Sequence, residues 1–302
     1  MTTSEIMMKL LHRLFAPLAA FLALGSAAEA RVPQARPALW SVSDADTTVY
    51  LFGTIHLLPD NYQWRTPALD QAVGGSQQLV IETIIDEKNP AQMMQAMASL
   101  AFSPNLPPLA QRVPPEKRAA LTEAIRKSGF PPQALDRMET WAAAFILLGN
   151  QFKELGLKSG QGVETTLRSA FMGQGKPIDE LESNREQLAF FDRLPEKAQR
   201  DLLEGAIEQT EEVKGDFHEM LSAWVRGDVK AIARSFNRDL SSSPDLQNAL
   251  LTQRNANWTR WIQKRMAQPG ALMVAVGAGH LAGRDSVIDL LKRRGYRVRR
   301  LQ

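Results

Sequence analysis

Two histidines occupy matched positions near opposite ends of the chain. The apolar run Val49-Tyr-Leu-Phe52 leads into Gly53-Thr-Ile-His56, and Leu272-Met-Val-Ala-Val276 leads into Gly277-Ala-Gly-His280. Each time a strand-like run ends in Gly-x-x-His. The chain has four histidines, so this pattern uses half of them; the others are His12, near the N-terminus, and His218, in an acidic helical stretch. Two more apolar runs end on carboxylates, Gln77-Gln-Leu-Val-Ile-Glu82 and Lys176-Pro-Ile-Asp-Glu-Leu-Glu182. Sites in open α/β sheets lie beyond the carboxyl ends of the strands. If these four runs are parallel neighbours, His56, Glu82, Glu182 and His280 converge on one edge. Two imidazoles with one or two carboxylates make a standard divalent-metal set with positions left for water. A lone histidine is more often a structural hydrogen-bonder; the repetition is what points to a site.

The glycines suit such a place. Gly53 and Gly277 let the chain turn as it leaves the sheet, and Gly279 can take a positive φ or let a ligand approach the backbone. A helix over His280–Arg294 would put His280 at a helix N-terminus, where N–H groups favour an anion or a developing oxyanion. Gly277-x-Gly279-x-x-Ala282 also fits the dinucleotide fingerprint. The acid expected after the next strand is replaced by Arg299 and Arg300, and only one β-α-β unit remains, which argues against a dinucleotide. There is no Walker A loop and no G-x-S-x-G elbow. The absence of cysteine excludes disulfides, thiolate nucleophiles and cysteine-held metals. Any metal must sit on His, Asp, Glu or backbone oxygen.

The elements that must position these residues follow in order. Ala38–Val42 and Thr48–Phe52 read as strands joined by the polar turn Ser43–Asp46. Leu57–Asn61 reads as a loop. Thr66 and Pro67 read as N-cap and first residue of a helix that ends at Gly74-Gly75. Asn89 to about Asn150 is helical, with Met93, Met94, Met97 and Leu100 as a core-filling stripe, a break at Pro104–Pro115, and helices over Glu116–Gly129 and from Pro131-Pro132 onward through Trp141. Gly160–Glu164 opens another helix. Ser183 and Glu186 form a capping box after the 176–182 strand. Helices fill 194–268, broken at Ser241–Pro244, with Leu246–Met266 carrying Arg254, Asn255 and Trp258. Strands over Ala271–Val276 and Tyr296–Leu301 close the chain. Strands at both ends with helices between them predict a single α/β domain, its mixed sheet built from both chain ends around a large helical insertion.

The first thirty residues read as a targeting segment. Lys9 and Arg13 precede a short apolar run from Leu14 to Ala28, too short to span a bilayer comfortably, and Ala28-Glu-Ala30 fits an A-x-A cleavage pattern. The expectation is a signal peptide over 1–30, a cut after Ala30, and a periplasmic or secreted domain over 31–302 with no integral membrane span. The concentrated basic run, Lys292-Arg-Arg294 with Arg297, Arg299 and Arg300, reads as a solvated helix end and edge strand. No aromatic except Tyr296 is interleaved with it, so neither a nucleic-acid partner nor an anionic-lipid surface is expected.

The chain resembles the TraB/GumN family, within the wider group of Tiki metalloproteases and PrgY and, more distantly, erythromycin esterases and ChaN-like proteins. The matching pieces are Trp40-Ser-Val, Tyr50-Leu-Phe-Gly-Thr-Ile-His56, Val80-Ile-Glu82, Gly162-Val-Glu164, Lys176-Pro-x-x-x-Leu-Glu182, Gln187, Arg254-Asn255 with Trp258, and Val276-Gly-Ala-Gly-His-Leu-x-Gly283. They span nearly all of the chain after residue 30. The resemblance implies two related halves, each with a Gly-x-x-His, and a nearby glutamate. It also implies metal-dependent peptidase activity with Mn²⁺ or Co²⁺; His and Glu ligands would accept Zn²⁺ as well. The esterase relatives use a histidine base without a metal. By position, His56 and His280 match the family histidines and Glu82 the strand-end glutamate.

The leading expectation is a periplasmic metal-dependent hydrolase acting on a peptide or small molecule. His56 and His280 would hold the metal with Glu82 or Glu182, and the other carboxylate would act as general base. Arg254 would steady the oxyanion and Asn255 position the substrate. The alternatives are a metal-free esterase-like hydrolase with His56 as base, and a non-catalytic peptide-binding or regulatory protein.

Overall fold

The fold is that of a computed structural model describing residues 35–302 apart from 57, 59–61, 86–90, 155–161, 208–209 and 241–242. The expected signal segment, most of the expected Leu57–Asn61 loop, Gly160 and part of the expected 241–244 break lie outside the described residues. The strands are β1 (Leu39–Ser43), β2 (Thr47–Thr54), β3 (Gln78–Ile81), β4 (Ile178–Glu180), β5 (Gly270–Gly277) and β6 (Val298–Arg300). They form one sheet in the order β4-β3-β5-β2-β1-β6. β4, β3, β5 and β2 are mutually parallel, while β1 runs antiparallel to both β2 and β6. The four strands leading to His56, Glu82, Glu182 and His280 are therefore parallel neighbours, as the sequence pattern required.

Helix α1 (Pro67–Gly75) joins β2 to β3. Between β3 and β4 lie α2 (Ala91–Leu100), α3 (Arg118–Ser128), α4 (Pro132–Asp136), α5 (Thr140–Glu154) and α6 (Val163–Met172). Between β4 and β5 lie α7 (Asn184–Asp192), α8 (Glu196–Gly205), α9 (Thr210–Val225), α10 (Val229–Leu240), α11 (Pro244–Gln247), a π-helical turn (Asn248–Thr252) and α12 (Gln253–Met266). Finally α13 (Val287–Arg293) links β5 to β6.

Side-chain alternation along β5 divides the core. Leu272, Val274 and Val276 face one cluster with Trp258 and Ile262 of α12 and Leu291 of α13. Met273 and Ala275 face the other, which holds the helical insertion and its buried Trp141 and Trp224. A strand covered on both faces reads as a continuous apolar run, which is why β5 is legible as ALMVAV. Each fully buried Leu or Val contributes about 1.5–3 kcal/mol. Two caps form as expected: Thr66 Oγ1 accepts from Leu69 N–H at 3.2 Å, and Ser183 with Glu186 completes a capping box.

Several expected helices are subdivided. The helix beginning at Pro131-Pro132 is α4, which ends at Asp136; α5 begins anew at Thr140. The 246–266 helix is interrupted by the π turn, which ends two residues before Arg254. The His280–Arg294 helix is the largest difference. His280 lies in a 3₁₀ turn, Ala278–Leu281. Gly283 (φ 81°) and Asp285 (φ 57°) then take left-handed conformations, and α13 starts only after Ser286, whose Oγ caps Asp289 N–H. His280 is thus not at the N-terminus of a long helix. The methionine stripe is only partly core: Met93 and Met97 are half-buried against it, whereas Met94 is exposed.

Candidate active site

The register of the parallel strands sets the site. Thr54 of β2 pairs with Gly277 of β5, and Ile81 of β3 with Ala275. Past β3 and β4 the ladder continues for two more backbone bonds, Leu181 N–H to Ile81 O and Glu182 N–H to Glu82 O, both 2.9 Å. Glu82 and Glu182 consequently leave the sheet side by side.

Arg254 lies between them. Its Nη2 donates to Glu82 Oε2 at 2.7 Å and to Glu182 Oε2 at 2.8 Å, and its Nε donates to Glu182 Oε2 at 2.9 Å. Trp258 Nε1–H donates to Glu182 Oε1 at 2.8 Å. Gly277 N–H donates to Glu82 Oε1 at 2.7 Å. A Cβ on Gly277 would lie 3.1 Å from that same oxygen, so the glycine allows the backbone to approach the carboxylate. The guanidinium also lies over the Trp258 ring at 4.7 Å and the half-buried Phe190 ring of α7 at 5.5 Å. Burial alone would raise Glu82, but Arg254 outweighs it and holds the carboxyl well below the usual range. Glu182 is pushed upward by burial, with the neighbouring Glu82 charge adding to the effect against Arg254.

His280 is enclosed behind this pair, its side chain 3% exposed. Its Nδ1 is 2.7 Å from Asn255 Oδ1, while Asn255 Nδ2 donates to Asp285 O at 3.0 Å. That orientation assigns the proton to Nδ1. Nε2 then accepts from Arg254 Nη1 at 3.3 Å and lies 3.8 Å from Glu82 Oε1. The Trp258 ring packs against the imidazole at 4.4 Å. Burial lowers His280 to about 3, with Arg254 adding to it, so the ring is neutral. Gly279 has a role other than the expected one. It is not at positive φ, and a Cβ there would lie 2.5 Å from the Phe236 ring; the glycine makes room for α10.

His56 is at the outer lip, with 33% of its side chain exposed. Its Nδ1 is 2.8 Å from Glu164 Oε1 in the first turn of α6, and Thr54 Oγ1 donates to the same oxygen at 2.5 Å. Burial works against a charged His56, but Glu164 outweighs it and, helped by Glu82, raises the group to about 9. Glu164 is itself held low: burial opposes its charge, and His56 overcomes that. Glu164 arrives there because α6 is seated on the end of β2. Val163 N–H donates to Ile55 O at 3.2 Å, and any Cβ on Gly162 would collide with the His56 carbonyl.

All six sequence-derived site residues, His56, Glu82, Glu182, Arg254, Asn255 and His280, lie at the carboxyl edge of the parallel strands. Five form one hydrogen-bonded cluster, and His56 stands close enough for Glu82 and Arg254 to bear on its protonation. Asn255 is buried, with its amide oxygen on His280 and its amide nitrogen on the Asp285 carbonyl, so it orients the His280 ring. Glu164 and Thr54 were not foreseen as site residues. The available signal was Gly162-Val-Glu164, a glycine immediately before a helix with a carboxylate in its first turn.

As placed, this set does not fit a divalent ion. Both Glu82 oxygens and both Glu182 oxygens accept hydrogen bonds. His280 Nδ1 is engaged by Asn255, and its Nε2 faces a guanidinium. Arg254 occupies the position between the carboxylates that a cation would take. Among the described residues, no three His, Asp or Glu side chains are placed to hold a metal.

The sequence model of the TraB/PrgY/gumN family matches residues 38–300, a span containing every residue of the site. Uncharacterized protein YbaP of Escherichia coli (strain K12) is 28% identical over 211 residues, covering 67% of this chain and 76% of that protein. Uncharacterized protein YbaP of Shigella flexneri matches at the same identity and coverage. No solved structure matches.

Proposed function

The chain belongs to the TraB/PrgY/gumN family, and on that premise we propose that it is a hydrolase in which His56 is the proton-transfer residue. The observation that carries this is the pairing of a solvent-reachable His56 with Glu164, beside a buried cluster in which one guanidinium is shared by two carboxylates. Glu164 engages Nδ1 and keeps the ring an imidazolium at neutral pH, so His56 stands ready to give its Nε2 proton to a leaving group, while only the neutral ring, populated as pH rises toward about 9, can take a proton from water. Arg254 and Glu82 form the charged floor beneath it. Developing negative charge on a carbonyl oxygen of a peptide or ester would fall to the His56 imidazolium at the lip, because Arg254 is already committed to Glu82 and Glu182. In this reading the protein is exported, is cut after Ala30, and acts outside the cytoplasm on a peptide or small molecule.

A metal-dependent form is the second reading, supported by His56, Glu82 and His280 following three neighbouring parallel strands out of one sheet edge. Mn²⁺ or Co²⁺, or Zn²⁺, on His56, His280 and Glu82 would require Arg254 to release Glu82. A panel of peptide and ester substrates, assayed with and without chelator, separates the readings. The metal-free hydrolase keeps its activity under chelation and loses on the order of 10²–10⁴-fold in His56→Ala. Activity that disappears on chelation and returns with Mn²⁺, together with calorimetric Mn²⁺ binding abolished by His56→Ala, would establish the metal reading. No turnover, with His56→Ala leaving the cellular phenotype intact, would leave a binding protein.

A further inference from the structure

The basic run Lys292-Arg293-Arg294 has no part in the site, and the fold does not leave it isolated. α13 packs against α12, and Arg294 Nη1 donates to Gln263 Oε1 on α12 at 2.8 Å. This brings exposed Lys292 and Arg294 beside exposed Arg260 and Lys264 and half-buried Arg265. Arg260 is bonded to the Asn257 amide oxygen and Arg265 to the Gln268 carbonyl. Among the described residues, none of these five cations pairs with a carboxylate. The two acids of this region, Asp285 and Asp289, are both held by Arg293.

The charge separation is large. Residues 253–302 contain eleven Lys and Arg against two Asp, a net +9, whereas the whole chain carries +3. The remainder of the protein is therefore net negative. Trp261 and Tyr296, both half-buried, pack on the apolar cluster beneath this face. Sequence order hides the first of these, because Trp261 precedes the basic run by thirty residues. Direction matters as well. β5 runs toward the site, so the C-terminal half of α12, which leads into the start of β5, lies at the opposite edge of the sheet. α13 crosses the sheet in the same direction and ends there too.

We propose that this α12–α13 face docks on an anionic lipid membrane, with the site held on the side away from the bilayer. Long basic side chains keep their heads at phosphates while their stems lie on apolar surface, and Trp and Tyr suit a boundary that is apolar on one side and wet on the other. Nucleic acid fits less well. Strand binding uses a groove with open aromatic faces for stacking, whereas both rings here are packed against the core.

The test is co-sedimentation of the purified protein with phosphatidylcholine vesicles, with and without phosphatidylglycerol. Binding should require phosphatidylglycerol and weaken with salt. Each basic residue near an anionic surface contributes roughly fivefold. The quadruple variant Arg260→Gln, Lys264→Gln, Lys292→Gln and Arg294→Gln should therefore lose on the order of a hundredfold or more, with an unchanged melting temperature. The milder pair Lys264→Gln and Lys292→Gln should lose roughly tenfold or more, while Arg137→Gln in the helical insertion should lose nothing. Equal binding to neutral vesicles, unchanged binding by the quadruple variant, or tighter capture of duplex DNA than of the anionic vesicles at the same salt would each overturn the proposal.

Discussion

His56 and His280 end adjacent parallel strands in the same Gly-x-x-His pattern, yet they are opposites as acids. His56 is one-third exposed, faces the Glu164 carboxylate and is raised to about 9. His280 is enclosed, faces the Asn255 amide and the Arg254 guanidinium, and is lowered to about 3. At neutral pH one ring is an imidazolium at the lip and the other a neutral ring in the floor. The repeated motif fixes where each ring sits. What each ring can do is decided by the helix brought against it, α6 for His56 and α12 for His280. Each strand end supplies a place, and an unrelated segment of the insertion supplies its chemistry.

Removing the residue that joins the two regions should have the largest effect. Arg254→Met leaves two carboxylates buried without their cation, and the protein should lose about 3–5 kcal/mol in urea denaturation. Adding Glu182→Gln should restore part of that. Asn255→Ala acts on the His280 side alone. It should cost about 1–3 kcal/mol and allow ¹⁵N NMR to detect His280 in both tautomers, where the parent shows only the Nδ1–H form. Glu164→Gln acts on the His56 side alone. In an NMR titration His56 should fall from about 9 toward or below its ordinary 6.5, while His280 stays put. The sign for stability follows from linkage: a histidine raised in the folded state stabilises fully below pH 6.5, and that contribution is lost as pH rises through about 9. The parent should therefore lose stability across that window, and Glu164→Gln should flatten the slope. Trp258→Phe removes the Nε1–H bond to Glu182 and leaves part of the space of a buried indole unfilled, and should cost about 1–3 kcal/mol in the same denaturation assay.

The sheet was largely readable from the sequence because its central strands are covered on both faces. Leu79-Val-Ile and Leu272-Met-Val-Ala-Val show as unbroken apolar runs, and the residues that end them, Glu82 and His280, were found by following those runs outward. The helical breaks were harder to read. Nothing local announces the π turn before Arg254, since its Leu and Ala residues fit an ordinary helix. The break after His280 depends on Asp285 taking a left-handed conformation, which propensity does not require of an aspartate. Partners from distant segments were the least visible. The Glu164–His56 contact depends on Gly162 seating against a backbone carbonyl more than a hundred residues earlier. Nor could the sequence reveal that Glu82 and Glu182, each read as a possible metal ligand, share one guanidinium.

The order of strands in the sheet has a consequence for how the molecule comes into being. β2 pairs with β5 and β1 pairs with β6, so the central contacts join segments more than two hundred residues apart. Closing such loops is entropically expensive and slow. During synthesis the first strand hairpin therefore waits, without its neighbours, until nearly the whole chain has emerged. His56 can meet Glu164 only after α6 exists, and Glu82 acquires Arg254 and the Gly277 amide only when the final tenth of the chain closes the sheet. The polar cluster therefore cannot be complete before nearly the whole chain is available, because it needs Gly277 and His280 opposite Glu82.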